Sequence, residues 1–367
     1  MSEPLSLGIE EEYQLVDPAT RELRQVAGRV LRAVRPELGD RAQPELYRSM
    51  VETNTPVCTT LAEVRQALRR SRRALVEAAG REGLAIAAAG THPFSSWADQ
   101  EVTDKTRYHN LAADYRQVFR EEVVFGCHVH VGFDDREAAV QTMNRVRPWL
   151  PVLLALSANS PFWLGADTGY ASFRTEVWNR WPTAGMPQAF DSRAEYDRLV
   201  EALVATGSLR EPTKLYWDVR PSARQETLEF RVADSVMAVD EAVMVAGLVR
   251  ALAVSAHAAA DRGDPDPRPR PELLRAAKWR AARHGLDADL VDVLGRRARP
   301  AAELVQLFLA RVRPGLEAGG DLEEVTELVG ATLARGTGAA RQRRALRRAG
   351  RLEDVVDLIV AETAAPA

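Results

Sequence analysis

The chain has 367 residues, 46% of them hydrophobic, so it is long enough to bury a sizeable core. Its 49 basic and 52 acidic residues leave a formal net charge of -3, whereas general nucleic-acid-binding proteins usually carry an excess of positive charge. Cys58 and Cys127 form no disulfide framework of the kind small secreted domains need, and residues 1–12 lack the apolar segment of a secretory signal. We therefore expect a cytoplasmic protein that binds neither nucleic acid nor a membrane.

The first predicted element is a strand over residues 5–14, where mostly apolar positions alternate with polar ones. Residues two apart in a strand point to the same face, so Glu10 and Glu12 share one face and Tyr13 lies on the other. This strand is expected to end before the turn residues Asp17-Pro18.

Strands and helices are predicted to alternate over the next hundred residues. We expect strands in the second half of residues 44–57 and over residues 84–89 and 121–133, and helices over residues 61–82, 104–120, 135–147 and 148–160. The strand at 121–133 carries His128 and His130, again two residues apart. Residues 170–190 follow no regular period, and long segments of this kind are often functional. Trp178 and Trp181 within them are interpreted as packing residues.

A hairpin is predicted from residues 215–219 and 227–232, and its second strand carries Glu229 and Arg231 two residues apart. The apolar run at 242–260 has the length of a membrane span. It contains Arg250, however, and a charge at the centre of a bilayer costs roughly 2.5–3.5 kcal/mol, so a buried core helix is the better interpretation.

The composition changes after residue 261. Residues 264–271 are predicted to form a proline-rich loop, and residues 272–362 to form helices that are broken at Gly285, Gly295, Gly330 and Gly350. We expect a catalytic core over residues 1–260 and a helical region over residues 261–367 packed on it, within one continuous domain.

Five residues from separate segments share a property: each is a hard or borderline metal ligand flanked by apolar residues. They are Glu10, Glu12, Glu52, His128 and Glu229. Carboxylates with one or two imidazoles suit Mg²⁺ or Mn²⁺ better than a structural zinc ion. Arg231 suits a metal-bound phosphate, because its planar guanidinium can grip two phosphate oxygens. Taken singly, the acidic run also fits a solvated strand face, and the Glu229/Arg231 pair fits a simple ion pair.

The order of the motifs resembles the carboxylate–amine ligase family of YbdK type, also called glutamate–cysteine ligase type 2. The resemblance is carried by GIEEE at 8–12, ETNTP at 52–56, GCHVH at 126–130, RTEVWNRWPTAG at 174–185, YWDVRP at 216–221 and TLEFR at 227–231. It implies an α+β fold with a glutamine synthetase-like curved antiparallel sheet, helices on the outer side and a helical C-terminal region. It also implies ATP and Mg²⁺ at the open face of that sheet.

The resemblance implies roles for particular residues. Glu10, Glu12, Glu52, His128 and Glu229 would bind metal ions, and Arg231 and Arg220 would contact the transferring phosphoryl group. His130 would lie behind the metal or at the substrate, and Glu45 matches an acidic position of the family more weakly. Arg174 and Arg180, in the irregular segment, are our candidates for recognising a substrate carboxylate, with a structural role as the alternative.

The implied reaction joins a small carboxylate to an amine. The carboxylate attacks the γ-phosphate of ATP to give an acyl phosphate, and the amine then displaces phosphate; the family name suggests glutamate and cysteine, and a homodimer is expected. A two-metal hydrolase would use the same carboxylates to activate water, and a catalytically silent nucleotide-binding relative is a third possibility.

Overall fold

A seven-stranded antiparallel sheet lies at the centre of the computed structural model, which describes residues 5–365. In chain order the strands are β1 (Leu7–Val16), β2 (Ala42–Pro44), β3 (Met50–Asn54), β4 (Ala85–Ala87), β5 (Gly126–Gly132), β6 (Phe162–Trp163), β7 (Ala166–Asp167), β8 (Ala184–Gly185), β9 (Tyr216–Trp217), β10 (Val219–Pro221), β11 (Thr227–Asp234), β12 (Leu290–Asp292) and β13 (Arg297–Arg299). The central sheet has the order β10-β11-β5-β1-β3-β2, and β4 pairs with β1. Residues 1–4 and 366–367, the outer ends of the two predicted regions, lie outside the described residues.

Helices cover one face of this sheet and form most of the C-terminal region. They are α1 (Ala27–Leu38), α2 (Leu61–Arg81), α3 (Thr106–Tyr115), α4 (Gln117–Arg120), α5 (Arg136–Val146), α6 (Leu150–Ser157), α7 (Phe173–Trp178), α8 (Arg193–Ala205), α9 (Val239–Asp261), α10 (Pro271–His284), α11 (Ala301–Gly319), α12 (Leu322–Arg335), α13 (Gly338–Ala349) and α14 (Leu352–Ala364). The α+β class and the antiparallel sheet are therefore confirmed.

The two faces of the sheet have different chemistry. On β5, Cys127, Val129 and Val131 are buried against the helices, and they share one hydrophobic cluster with residues of α5, α6 and α9. His128 and His130 alternate with them and point to the opposite face. One face of the sheet therefore forms the core, and the other presents the polar residues.

The register brings those polar residues opposite one another on neighbouring strands. Glu12 of β1 pairs with Glu52 of β3, and Glu10 of β1 pairs with His128 of β5. His130 pairs with Glu229 of β11, which in turn pairs with Arg220 of β10. Because directly opposite residues have Cβ atoms about 4.5–5.5 Å apart, strand pairing gathers the five predicted metal ligands on one face of the sheet.

Several predicted boundaries differ from the structure. The helix expected at 104–120 is divided into α3 and α4 at Arg116, whose φ of +51° lies in the left-handed region. The strand expected at 121–133 begins only at Gly126, and the irregular segment at 170–190 contains α7. In the predicted hairpin, β10 pairs with β11 as expected, but Tyr216–Trp217 forms β9 and pairs with β8.

The C-terminal region is helical as predicted, with one exception. Gly285 and Gly350 end α10 and α13, where both adopt positive φ. Gly330, however, lies inside α12, and Gly295 belongs to the turn between β12 and β13, where its N–H donates to Asp292 at 2.7 Å. Residues 290–299 thus form a small hairpin within a stretch that we predicted to be entirely helical.

Helix α9 has the length and apolar composition of a membrane span, yet 78% of its most apolar window is buried inside the protein. Arg250 near its middle is paired with Asp321 at 2.5 Å and also donates to the Thr59 carbonyl. The charge is therefore satisfied within the fold, as expected of a core helix.

Candidate active site

The polar face of the sheet forms the floor of a cavity of about 1040 Å³. Helix α7, the segment 213–216 and the loop 222–226 contribute further walls. All but one of the residues predicted for the site line this cavity: Glu10, Glu12, Glu45, Glu52, His128, His130, Arg174, Arg220, Glu229 and Arg231. A cavity this large can hold a nucleotide together with small substrates.

Three residues on the floor form a potential cation site. Ligand atoms of Glu10, His128 and Glu229 all lie within 4.8 Å of one another. The Nδ1 atom of His128 is 3.1 Å from a Glu10 carboxylate oxygen, and its buried Nε2 atom has no hydrogen-bond partner among residues 5–365. An unpartnered imidazole nitrogen beside two carboxylates fits a divalent ion such as Mg²⁺ or Mn²⁺.

The protonation states of these three residues also suit an ion. Burial raises the pKa of Glu10, but hydrogen bonds with His128 and His130 outweigh it, so the net pKa is well below the usual range. Burial likewise opposes ionisation of Glu229, whereas Arg231 and Arg220 lower its pKa strongly. Burial and the nearby Arg231 lower the pKa of His128 to about 4, which leaves a neutral ring able to bind a metal.

A second acidic group lies on the adjacent part of the floor. The Glu12 carboxylate accepts the Gly126 N–H at 2.6 Å, Glu52 accepts the Asn54 amide at 3.1 Å, and Glu45 accepts the Tyr108 hydroxyl at 3.0 Å. Burial and the neighbouring Glu45 raise the pKa of Glu12 to about 7. Burial and repulsion from the other acids raise the pKa of Glu52 well above its usual value. This crowding of carboxylates indicates a place where added positive charge stabilises the protein.

The contacts of His130 bear on its two predicted positions, behind the metal or at the substrate. Its Nδ1 atom is 2.9 Å from the Thr227 hydroxyl, and its Nε2 atom is 3.3 Å from a Glu10 carboxylate oxygen. Burial lowers the pKa of this histidine, but the hydrogen bond with Glu10 reverses the effect, so its net pKa is raised. His130 therefore supports Glu10 and is not itself part of the three-residue cluster.

The arginines differ in how far protein groups satisfy them. Arg220 donates to both Glu229 oxygens, at 2.9 and 3.4 Å, and to the carbonyls of Thr213, at 3.1 Å, and Leu215. Each of its three guanidinium nitrogens therefore has a protein acceptor. Its guanidinium anchors the segment 213–215 to the sheet, and the phosphoryl contact that the resemblance implies for Arg220 stays a prediction.

Arg231 and Arg174 each have a buried N–H donor without an acceptor among the described residues. Arg231 donates to Glu229, and its buried Nε has no acceptor among the residues that the structure describes. Arg174 makes only long contacts, at 3.4 and 3.5 Å, with the Arg231 carbonyl, and its Nε also has no acceptor within residues 5–365. Buried donors without partners are costly, so of the predicted arginines that line the cavity, these two are the better prepared to bind an anion.

Arg180 is the one predicted site residue that does not line the cavity. It is paired with Glu121, and its Nε donates to the Val177 carbonyl at 3.1 Å. We therefore propose no substrate role for Arg180. Arg174 lies near the start of α7, whereas Arg180 lies in the turn that follows the end of this helix.

Sequence reasoning missed several lining residues. Arg107 lies on α3 and Lys214 in an irregular segment, and no local pattern marks either of them as a site residue. Tyr216 lies in the predicted strand at 215–219, but we gave it no role in the site. Glu122 is fully buried, accepts the Trp181 indole N–H at 2.6 Å, and has its pKa raised to about 8 by burial. The only sign of this burial in the sequence is that Glu122 directly precedes an apolar stretch.

Comparison with known proteins shows the family to which this chain belongs. The model of the family "Glutamate-cysteine ligase family 2 (GCS2)" matches residues 6–358. A predicted glutamate–cysteine ligase 2-2 of Frankia alni is 46% identical over 98% of this chain and 97% of its own length. A predicted glutamate–cysteine ligase 2 of Rhodopirellula baltica is 42% identical over 98% of this chain and 96% of its own length. The chain spans only 41% of a longer relative from Frankia casuarinae.

Two solved structures share the fold. A bifunctional glutathione synthetase from Pasteurella multocida superposes with a TM-score of 0.74 at 18% identity, over 99% of this chain and 52% of that one. A glutamate–cysteine ligase from Francisella tularensis, in complex with AMP, superposes with a TM-score of 0.73 at 12% identity, over 98% and 88%. The chain belongs to glutamate–cysteine ligase family 2, a family of ligases.

Proposed function

We propose that this chain is an ATP-dependent ligase that joins a carboxylate to an amine. The observation that carries the proposal is the pairing, in one cavity, of the Glu10/His128/Glu229 cluster with two arginines whose donors are not satisfied by protein groups. Cations and arginines on a rigid surface are what phosphoryl transfer requires, because that reaction depends on positioning and charge neutralisation. Family membership supports the same class of reaction.

The residues have distinct proposed tasks. Glu10, His128 and Glu229 would hold a divalent cation, with Glu12 and Glu52 available for a second, and such ions when bound offset the negative charge of the ATP phosphates. Arg231 and Arg174 donate to oxygens of the transferred phosphoryl group. Glu45 and His130 complete the floor on which the substrates lie.

The bonds change in two steps. A carboxylate oxygen of the acid substrate forms a bond to the γ-phosphorus as the bond to the ADP oxygen breaks, which gives an acyl phosphate. The amine nitrogen then bonds to the acyl carbon, phosphate leaves with the electron pair of the C–O bond, and the amine loses a proton. Glutamate and cysteine are the first pair to test. Mg²⁺ as the ion, the homodimer and the cytoplasmic location remain predictions.

The test is ADP release from ATP with Mg²⁺ over a matrix of amino acids and amines, with each ligated product identified by its mass. We expect release that requires both an acid and an amine. Glu52→Gln and Arg231→Ala should each lower turnover by about a hundredfold or more. Arg231→Ala loses a donor to the developing charge, which commonly costs that much, and Glu52→Gln loses a carboxylate that would help to hold the second cation. Metal-dependent hydrolysis of a substrate without ATP would instead indicate a two-metal hydrolase.

Arg180→Ala is the matched control, because it removes the same side chain from the same region outside the cavity. Its ADP release should stay close to that of the original chain. If Arg231→Ala retained similar activity, the assignment of Arg231 to the phosphoryl group would be wrong.

A further inference from the structure

Trp178 contacts both of the arginines that keep unsatisfied donors. The guanidinium carbon of Arg174 lies 5.9 Å from the centre of a Trp178 ring, and that of Arg231 lies 5.7 Å from it. Both distances are within the range of cation–π attraction, which contributes about 0.5–1 kcal/mol at exposed sites and more where water is excluded. From the sequence we predicted only a packing role for Trp178.

Both guanidinium groups share the contact with Trp178. Arg174 is 3% exposed, and among the described residues its guanidinium donates only to the Arg231 carbonyl. Arg231 has Glu229 as its partner, and Arg174 reaches the Arg231 backbone carbonyl at 3.4 and 3.5 Å. Two like charges in a buried place repel each other, and an aromatic ring that attracts both of them offsets part of that repulsion.

Trp178 is itself held firmly. Its ring packs edge to face on Tyr216, with the centroids 5.2 Å apart, and lies against Trp181 at 5.8 Å. It is four residues after Arg174 on α7, so the two side chains lie on the same side of the helix. The indole therefore has little freedom to move away from either arginine.

Helix α7 is fixed to the strand that carries Arg231. The Ser172 hydroxyl donates to Asp234 at 2.8 Å, and the Ser160 hydroxyl donates to it at 2.7 Å. The Ser160 hydroxyl also accepts the backbone N–H of Arg174 at 3.1 Å. Asp234 is the last residue of β11, three residues after Arg231. These hydrogen bonds therefore hold the start of α7 against the end of β11.

We infer that Trp178 is a positioning residue that holds the guanidinium groups of Arg174 and Arg231 side by side, so that together they bind one tetrahedral oxyanion. The proposed function would place the transferred phosphoryl group there, and the inference deepens that proposal. The anion site itself does not depend on ligase activity. It requires only the two arginines, their free donors and the aromatic ring that contacts both of them.

The experiment measures the affinity for inorganic phosphate by isothermal titration calorimetry, with Mg²⁺ present. The original chain should bind phosphate, and Trp178→Phe, which keeps an aromatic face, should bind it within about threefold. Trp178→Leu, which removes that face, should bind it at least about tenfold more weakly, because both guanidinium groups lose their cation–π contact. Trp279→Leu is the matched control, because Trp279 is 46% exposed on α10 outside the cavity.

Thermal unfolding of each variant shows whether the fold is intact. Should Trp178→Leu fail to fold, Trp178→Met fills more of the volume of the ring and takes its place. Equal phosphate affinity in the aromatic and aliphatic variants overturns the positioning role, and so does the absence of phosphate binding in the original chain. The proposed function is tested separately: phosphate binding with this pattern but no ADP release with any substrate pair contradicts the ligase and leaves the anion site standing.

Discussion

Gly126 leaves the space in which two side chains of the candidate active site lie. A Cβ atom on this residue would overlap the Arg174 guanidinium and lie 2.9 Å from Nε2 of His128, a distance that Cβ atoms essentially never show. The Gly126 N–H also donates to Glu12. One residue without a side chain thus sets the positions of an arginine, a histidine and a carboxylate.

We expect Gly126→Ala to lower both activity and stability. The added methyl group must push Arg174 or His128 out of place, and overpacking of this kind typically costs about 1–3 kcal/mol. Urea unfolding measures the loss of stability, and phosphate or ATP binding measures the displacement of the arginine. Gly80→Ala is the control, because no atom lies within 4 Å of its added Cβ on helix α2, and alanine favours a helix.

Helix α2 is fastened to strand β1 by a buried ion pair directly behind the candidate site. Arg72 of α2 donates to both oxygens of Glu11, at 2.5 and 3.2 Å, and Glu11 also accepts the Tyr13 hydroxyl. The same guanidinium donates to the carbonyls of Val236, at 3.0 Å, and Met237, just before α9 begins. Arg72 therefore joins a helix, the central strand and the segment that leads into the core helix.

We expect Arg72→Met to lower the free energy of unfolding by about 3–5 kcal/mol, because it leaves the Glu11 charge and two carbonyls buried without partners. The double variant Glu11→Leu/Arg72→Met should be less destabilised than the sum of its single variants, since it removes both charges. Urea unfolding of the four proteins gives this coupling energy. A purely additive result would show that Glu11 and Arg72 stabilise the fold independently.

The elements that the sequence predicted best are those with a strong period. The alternation in β1 places Glu10 and Glu12 on one face and Glu11 with Tyr13 on the other, as the structure confirms. Strand register could not be read from the sequence, yet it is the register that sets Glu12 against Glu52 and Glu10 against His128. We predicted that these residues lie together only because the chain resembles a known family, and no pattern in the sequence indicated it.

Side-chain partners were the least predictable feature. Arg174 and Arg180 lie in one motif, but a hydrogen bond with Glu121 keeps Arg180 outside the cavity. Arg220 lines the cavity, where a phosphoryl contact stays a prediction, and it also anchors the segment 213–215, which nothing in the sequence indicated. Such outcomes depend on long-range packing, because the acceptors come from segments that have no regular pattern of their own.

The whole molecule has a core that crosses the boundary we predicted at residue 260. Phe308 of α11 is fully buried and stacks on Trp149 at 5.5 Å, within the same hydrophobic cluster as Val129 of the central sheet. Lys278 of α10, the first helix of the C-terminal region, also pairs with Asp218 at 2.7 Å, and Asp218 directly precedes β10. The sheet and the C-terminal helices are thus expected to unfold together, as one continuous domain.

Phe308→Ala tests this expectation. Removal of the ring should lower the free energy of unfolding by about 3–5 kcal/mol, because the cavity left in a shared core cannot close fully. Circular dichroism reports mainly on the helices, whereas tryptophan fluorescence also reports on Trp178 and Trp181 beside the sheet, and both transitions should shift together. Leu307→Ala changes the adjacent, 40% exposed residue of the same helix and should have little effect. Two separate transitions in Phe308→Ala would instead show that residues after 260 unfold as an independent unit.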